Sequence, residues 1–283
     1  MIRIGEKLNS SIPATQKMFD ERDRDAVVAL IEKQEKAGAD YLDINTALCA
    51  EKELETMLWV IGLAMEHSAC GIMIDSPSTA VMKEAMAACK GRKLIVNSVT
   101  ITDRIEEIAP LIAESGAGVV GMPVGGDGDR ASLDGRMHNI GLLVEKLRSF
   151  GMKDEQIYVD IMMEAAAFDS ESPALALRVI GELKNRFPAV KSVCGLSNVS
   201  FGLPGRVNIN MAALSAGVFL GLDSAILDVT SPKTRLALLS ADVVAGNDEY
   251  CMEYILSLIH IYSVTGRLLL CMHFDSPFSP GFR

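Results

Sequence analysis

The chain has 283 residues, 49% of them hydrophobic and 23% charged, which is enough for one large core and too apolar for a disordered segment. A formal charge of −10 and a pI near 5.0 exclude the broad electrostatic grip on nucleic acid that clustered Lys and Arg provide. The sequence shows no apolar leader before a small-residue cleavage site and no run of about 18 uncharged apolar residues, so a cytoplasmic protein is expected.

In chain order, short β-branched runs alternate with longer amphipathic ones, the pattern of repeated βα units around a parallel sheet. The predicted strands and helices pair as Ile2–Gly5 with Asp25–Ala37, Tyr41–Ile44 with Glu51–Glu66, Gly71–Ile74 with Thr79–Cys89, and Leu94–Asn97 with Ile105–Glu114. The second half repeats this with Gly118–Met122 and Met137–Phe150, Ile157–Asp160 and Pro173–Arg186, Ser192–Leu196 and Asn208–Ala216, and Ala225–Asp228 and Lys233–Ala245. Gly38 and Gly116 close helices before strands, and Ser78 is placed to cap the helix that follows it. Eight such units predict an α/β chain folded as a (β/α)8 TIM barrel over residues 1–255. A doubly wound sheet is the alternative, but it calls for a GxGxxG turn after the first strand, where this chain has Gly5-Glu6-Lys7-Leu8-Asn9.

From Leu256 the βα grammar stops. The hexapeptide Leu-Ser-Leu-Ile-His-Ile looks like the translation of a transposon end used in preparing sequencing libraries, so residues 256–283 are expected to be a non-native tail. His260, Cys271 and His273 in it are therefore not read as metal ligands. The six cysteines form no CxxC pair and do not cluster with the four histidines, so no bound metal and no disulfide framework are expected. His67 and His138 fall in helical stretches and are read as non-catalytic.

In a (β/α)8 barrel the functional groups collect at the C-terminal strand ends. Asp43 and Asn45 end the second predicted strand, Asp75 follows the third, Asn97 ends the fourth, Asp160 the sixth, and Asn198 follows the seventh. One such residue is usually a cap or turn former. Six of them over five units suggest a ligand site. Carboxylates that accept and carboxamides that both donate and accept suit a pterin ring, with its exocyclic amine, ring N–H groups, carbonyl and ring nitrogens. Phosphate sites draw on Gly-rich loops, Lys and Arg, and metal cages on His partners, neither of which is seen at these positions.

The most distinctive segment is Gly195-Leu196-Ser197-Asn198-Val199-Ser200-Phe201-Gly202-Leu203-Pro204-Gly205-Arg206, running on to Asn210. It resembles the signature of methyltetrahydrofolate-dependent corrinoid methyltransferases. Ile4–Asn9, Gly38–Asn45, Asp75-Ser76, Gly221–Asp228 and Asp248–Cys251 are similar to the same family, so the resemblance covers about residues 1–255. It implies transfer of the N5 methyl of methyltetrahydrofolate to Co(I) of a corrinoid, in either direction. Asp75, Asn97 and Asp160 would bind the pterin, Asn198 would approach N5, and Asp160 would help to place a proton. Ser200, Arg206 and Asn210 would support or border the loop, with Asp43 and Asn45 in an inner polar shell. After Asp160 the sequence Ile161-Met162-Met163-Glu164-Ala165-Ala166 departs from the more proline-containing segment of the family.

No Asp-x-His-x-x-Gly motif is present for the lower face of a corrinoid, so a separate corrinoid protein is the expected partner, and the resemblance adds a homodimer. A non-catalytic pterin-binding or corrinoid-docking subunit is the alternative. Dihydropteroate synthase is a weaker one, since its Ser-x-Arg-Pro-Gly type loop is missing.

Overall fold

The computed structural model describes residues 1–257. The expectation of a non-native tail falls, from residue 258 on, outside the described residues, as do His260, Cys271 and His273. The eight strands are β1 (Ile2–Asn9), β2 (Tyr41–Asn45), β3 (Gly71–Asp75), β4 (Leu94–Thr100), β5 (Gly118–Met122), β6 (Ile157–Asp160), β7 (Lys191–Gly195) and β8 (Ser224–Leu227). They close in sequence order, β8 pairing back onto β1, with every pairing parallel. The helices around them are α1 (Pro13–Asp20), α2 (Arg24–Lys36), α3 (Glu53–His67), α4 (Thr79–Ala88), α5 (Ile105–Ser115), α6 (Leu133–Ser149), α7 (Ser172–Arg186), α8 (Arg206–Phe219) and α9 (Pro232–Ala245). The expected (β/α)8 barrel is what forms.

Strand alternation separates two cores. Outward residues such as Leu42, Ile44, Ile72, Ile74, Val96, Val119, Val159 and Cys194 pack in one cluster with the helices. Inward residues Ile4, Met73, Ile95, Val120, Tyr158 and Val193 fill the barrel, with Ile2, Tyr41 and Ile226 against them. Burying each such aliphatic side chain is worth roughly 1.5–3 kcal/mol, so the barrel centre is a packed plug and not a pore. At its lower end two tyrosines lie across glycines. A Cβ at Gly71 would collide with the Tyr41 ring, and one at Gly118 would come within 2.8 Å of Tyr158 Cε2.

Two irregularities shape the upper end. Gly5 pairs with Leu42 but Leu8 with Ile44, so β1 carries an extra residue there. The buried Gln34 of α2 fills the bulge, accepting from Lys7 N at 3.0 Å. Bulges re-aim side chains next to functional sites, and this one lets β1 run on to Asn9, past the predicted end at Gly5. β4 has a similar shift between Asn97 and Val99. Helix α1 lacks a broad apolar stripe in sequence; it packs through Thr15 and Phe19, four residues apart, after a Pro at its first turn.

Candidate active site

The same period of two that turns Ile4, Met73, Ile95 and Ile226 inward carries a polar layer one step higher on the inward face. Asp75 lies two residues beyond Met73, Asn97 beyond Ile95, Asp160 beyond Tyr158, Asp43 beyond Tyr41, Glu6 beyond Ile4 and Asp228 beyond Ile226. Asp75 is in register with Asn45 on one side and Asn97 on the other, so the three sit abreast on adjacent strands. Glu6, Asp43, Asp75, Asn97, Asp160 and Asp228 floor a cavity of about 830 Å³ at the C-terminal end of the barrel.

Asp43, Asp75, Asn97, Asp160, Asn198, Arg206 and Asn210 all line it. Asn45 and Ser200 do not. Asn45 stands behind the floor, its Nδ2 donating to Asp75 Oδ2 at 2.7 Å and its Oδ1 accepting from Ala47 N at 3.1 Å. Ser200 is fully buried. Its hydroxyl accepts from Arg206 Nε at 3.1 Å, while Arg206 Nη2 donates to the Ser197 carbonyl at 2.7 Å, so Ser200 fastens the loop through Arg206, which itself borders the cavity. Glu6, Lys7 and Asp228, which are not among the residues expected from sequence, also line the cavity. Glu6 accepts from Ser197 Oγ at 2.9 Å, tying β1 to the loop. Lys7 Nζ pairs with Asp228 Oδ2 at 2.8 Å. The period-two signal that singles out Asp75 marks Glu6 and Asp228 as well.

Asn198 ends a tight turn, Leu196–Asn198, directly after β7. Leu196 and Val199 are buried and anchor the turn, whereas the Asn198 side chain is exposed. It folds back over Gly195, where an added Cβ would lie 2.9 Å from Asn198 Nδ2. Cys194, beside it in sequence, points away into the helix-facing core, and burial raises its thiol pKa, so it is no nucleophile. His67 bonds to Arg24 and His138 to Asp127, and neither residue lines the cavity.

Burial dominates the electrostatics of the floor. It raises Asp160 from 3.8 to about 6, against the opposing hydrogen bond from Met162 N. Burial, helped by the Asp75 and Glu6 charges, lifts Asp43 well above its ordinary value. Asp75 and Glu6 are raised too, chiefly by burial. Burial would also raise Asp228, yet hydrogen bonds from Lys7 and Thr230 hold it below its ordinary value. The mouth is thus a set of buried carboxyls whose protonated forms burial favours, beside one ion pair. Asp43 Oδ1 and Asn210 Oδ1 are buried acceptors with no hydrogen-bond partner among the described residues. Such orphans are costly unless a ligand brings donors to them.

The chain matches the pterin binding enzyme family over residues 10–228. It is a pterin-binding enzyme. This pterin-binding enzyme is 30% identical over 261 residues to the methylcorrinoid:tetrahydrofolate methyltransferase of Eubacterium limosum, covering 90% of this chain and 94% of that protein. It is also 28% identical over 244 residues to methionine synthase of Mycobacterium leprae (strain TN), covering 80% of this chain but 20% of that protein. In three dimensions it is similar to a dihydropteroate synthase from Clostridium difficile, with a TM-score of 0.67 and 21% identity over 86% of this chain and 96% of that one. A dihydropteroate synthase from Coxiella burnetii gives a TM-score of 0.62 and 18% identity over 76% of this chain and 83% of that one. Those two likenesses speak for the shared barrel alone.

Proposed function

We propose that this enzyme moves the N5 methyl of methyltetrahydrofolate to Co(I) of a corrinoid held by a separate protein, and runs the same step backwards when methylcorrinoid is supplied. The observation that carries the reading is the exposed Asn198 carboxamide, held over a floor of Asp75, Asn97 and Asp160 in one cavity. The orphaned acceptors of Asp43 and Asn210 and the raised carboxyls fit a ring rich in N–H donors. The Eubacterium limosum relative, similar along nearly its whole length, carries tetrahydrofolate and methylcorrinoid in its name.

In the forward direction the Co(I) electron pair forms the cobalt–carbon bond as the N5–carbon bond breaks, and that bond's pair stays on N5, which takes up a proton. The amine is a poor leaving group, so stabilising N5 as its charge changes is the catalytic task. Asn198 donates a hydrogen bond to N5. Asp75, Asn97 and Asp160 hold the pterin edge, Asp160 also helping to place the proton. Asn45 supports Asp75 from behind, Asp43 adds an acceptor to the floor, and Ser200 and Arg206 hold the Asn198 loop. The nucleophile belongs to the corrinoid, so no covalent enzyme intermediate is needed. In the cell the reading is of a cytoplasmic homodimer visited by the corrinoid protein. Among the described residues no helix is long and apolar enough to cross a membrane.

The test is spectroscopic. Purified protein with methyltetrahydrofolate and Co(I) cobalamin should convert the cobalt to methyl-Co(III). A protein that binds methyltetrahydrofolate yet methylates neither free Co(I) cobalamin nor a reduced corrinoid protein is instead a binding module. A second experiment follows from the packing of Asn198. Gly195→Ala should lower the turnover number about tenfold with little change in methyltetrahydrofolate affinity, because the new methyl displaces the carboxamide and leaves the floor intact. Equal turnover in the variant would mean that the position of Asn198 is not rate-determining.

A further inference from the structure

Arg136 belongs to α6, outside the barrel, and is 6% exposed. A guanidinium that deep is costly unless its N–H groups are met, and this one meets the loop after β6. Its Nη1 donates to the carbonyls of Ile161 at 3.3 Å and Met162 at 3.1 Å. Nε donates to the Arg130 carbonyl at 2.8 Å, and Nη2 lies 3.5 Å from Ser172 Oγ and 3.8 Å from Glu164 Oε2. Met162 has a φ of +56°, a left-handed conformation that an unbranched L residue adopts at some cost. Its N–H donates to Asp160 Oδ1 at 2.8 Å. Arg136 does not line the cavity, and Asp160 does.

We propose that Arg136 is the positioning residue for Asp160: its guanidinium grips the Ile161 and Met162 carbonyls and so fixes the turn whose amide seats the Asp160 carboxylate in the mouth. The inference rests on the reading of Asp160 as a pterin ligand. One Nη1 shared between two carbonyls, with Nε fixed on a third, is a task for a planar fork; a lysine ammonium cannot reproduce it. The charges that bear on Asp160 come from different elements. Arg136 on α6 favours its ionised form, and Glu164 on the loop disfavours it. The Cys194 thiol of neighbouring β7 points away from it, into the helix-facing core. Arg130 is taken up by Glu164 at 3.0 Å, and Asp169 acts on Arg136 itself.

The experiment measures methyltetrahydrofolate affinity between about pH 5 and 8 for the intact protein and for Arg136→Met, Arg136→Lys, Glu164→Gln, Asp160→Asn and Arg136→Met/Asp160→Asn. The pH below which affinity falls should rise by about half a pH unit in Arg136→Met and fall by a similar amount in Glu164→Gln, because the two charges act on Asp160 with opposite signs. Arg136→Lys should leave that midpoint near its original place yet weaken binding about tenfold, since the charge is kept and the fork is lost. In the Asp160→Asn background the Arg136→Met change should have no further effect. An unmoved midpoint in both Arg136→Met and Glu164→Gln, or an undiminished Arg136 effect without Asp160, overturns the proposal. Should Arg136→Met fail to fold, an unmoved midpoint in Glu164→Gln with unchanged affinity in Arg136→Lys overturns it. If Asp160→Asn itself binds like the original protein, the reading of Asp160 as a ligand fails and takes this proposal with it. A weak Asp160→Asn with silent Arg136 variants removes the positioning role alone.

Discussion

Asn198→Ala should slow methyl transfer about 100-fold while leaving methyltetrahydrofolate affinity within about threefold. The asymmetry follows from when the hydrogen bond matters. In the bound substrate N5 is a crowded, weakly accepting amine, and it takes on the bond-breaking electron pair only as the methyl leaves. A donor aimed at N5 is therefore worth more in the transition state than before it. The side chain is exposed, so its truncation should leave stability within about 0.5 kcal/mol. Single-turnover stopped flow beside equilibrium binding separates the two quantities. Equal losses in rate and affinity would make Asn198 a general binding group, and an unchanged rate would remove it from the mechanism.

Asp160→Asn should trade binding for stability. Its carboxyl is raised from 3.8 to about 6 by burial, which means that the folded protein holds a proton there more tightly than the unfolded chain does. Below the ordinary value both states are protonated and no penalty exists. Between the two values stability declines as pH rises, and above about 6 the whole penalty is present. At neutral pH that amounts to something on the order of 3 kcal/mol. An uncharged amide of the same shape avoids it, so the variant should be more stable at pH 7, and its stability should change less between pH 4 and 7. It should also bind methyltetrahydrofolate about 10-fold to 100-fold more weakly, because, on the proposed role of Asp160, a carboxylate accepting from ring donors would become a group presenting an N–H donor to one of them. Urea unfolding at several pH values, with calorimetric binding, reads both. A variant less stable at pH 7 than the original chain would refute the burial argument.

All eight strands were legible because β-branched runs at regular spacing have few other ways to pack, and closure into a barrel followed from their number. Boundaries were lost wherever a tertiary contact overrides the local signal. Glu6 and Lys7 interrupt the apolar run of β1, and it is Gln34, remote in sequence, that keeps the strand going through its bulge. Helix α6 begins at Leu133 instead of Met137 because Ser132 caps it, accepting from Gly135 N at 3.1 Å, in a stretch otherwise poor in apolar residues. Helix α8 starts earlier than predicted because the Arg206 side chain fastens the preceding loop.

Of the site, the strand-end carboxyls and carboxamides were readable from position alone. The division of labour among them was not. That Asn45 and Ser200 stand behind the cavity wall while Asp43 reaches into it depends on register and on the hydrogen bonds that hold Asn45 and Ser200, which sequence spacing does not express. Arg136 was hidden altogether, because an arginine on an outer helix looks like a solvated one until its carbonyl partners are seen.

The tyrosines laid across Gly71 and Gly118 give the barrel a solid floor, and with it a traffic rule. In the proposed reaction pterin and corrinoid would share a single doorway. In that reaction a pterin on the strand-end floor would sit deeper, so it would have to be seated before the corrinoid protein arrives, and could leave only after that protein has stepped away. Turnover would then be limited by how readily the two proteins part, and an excess of the corrinoid protein, docked on an empty barrel, would act as its own inhibitor.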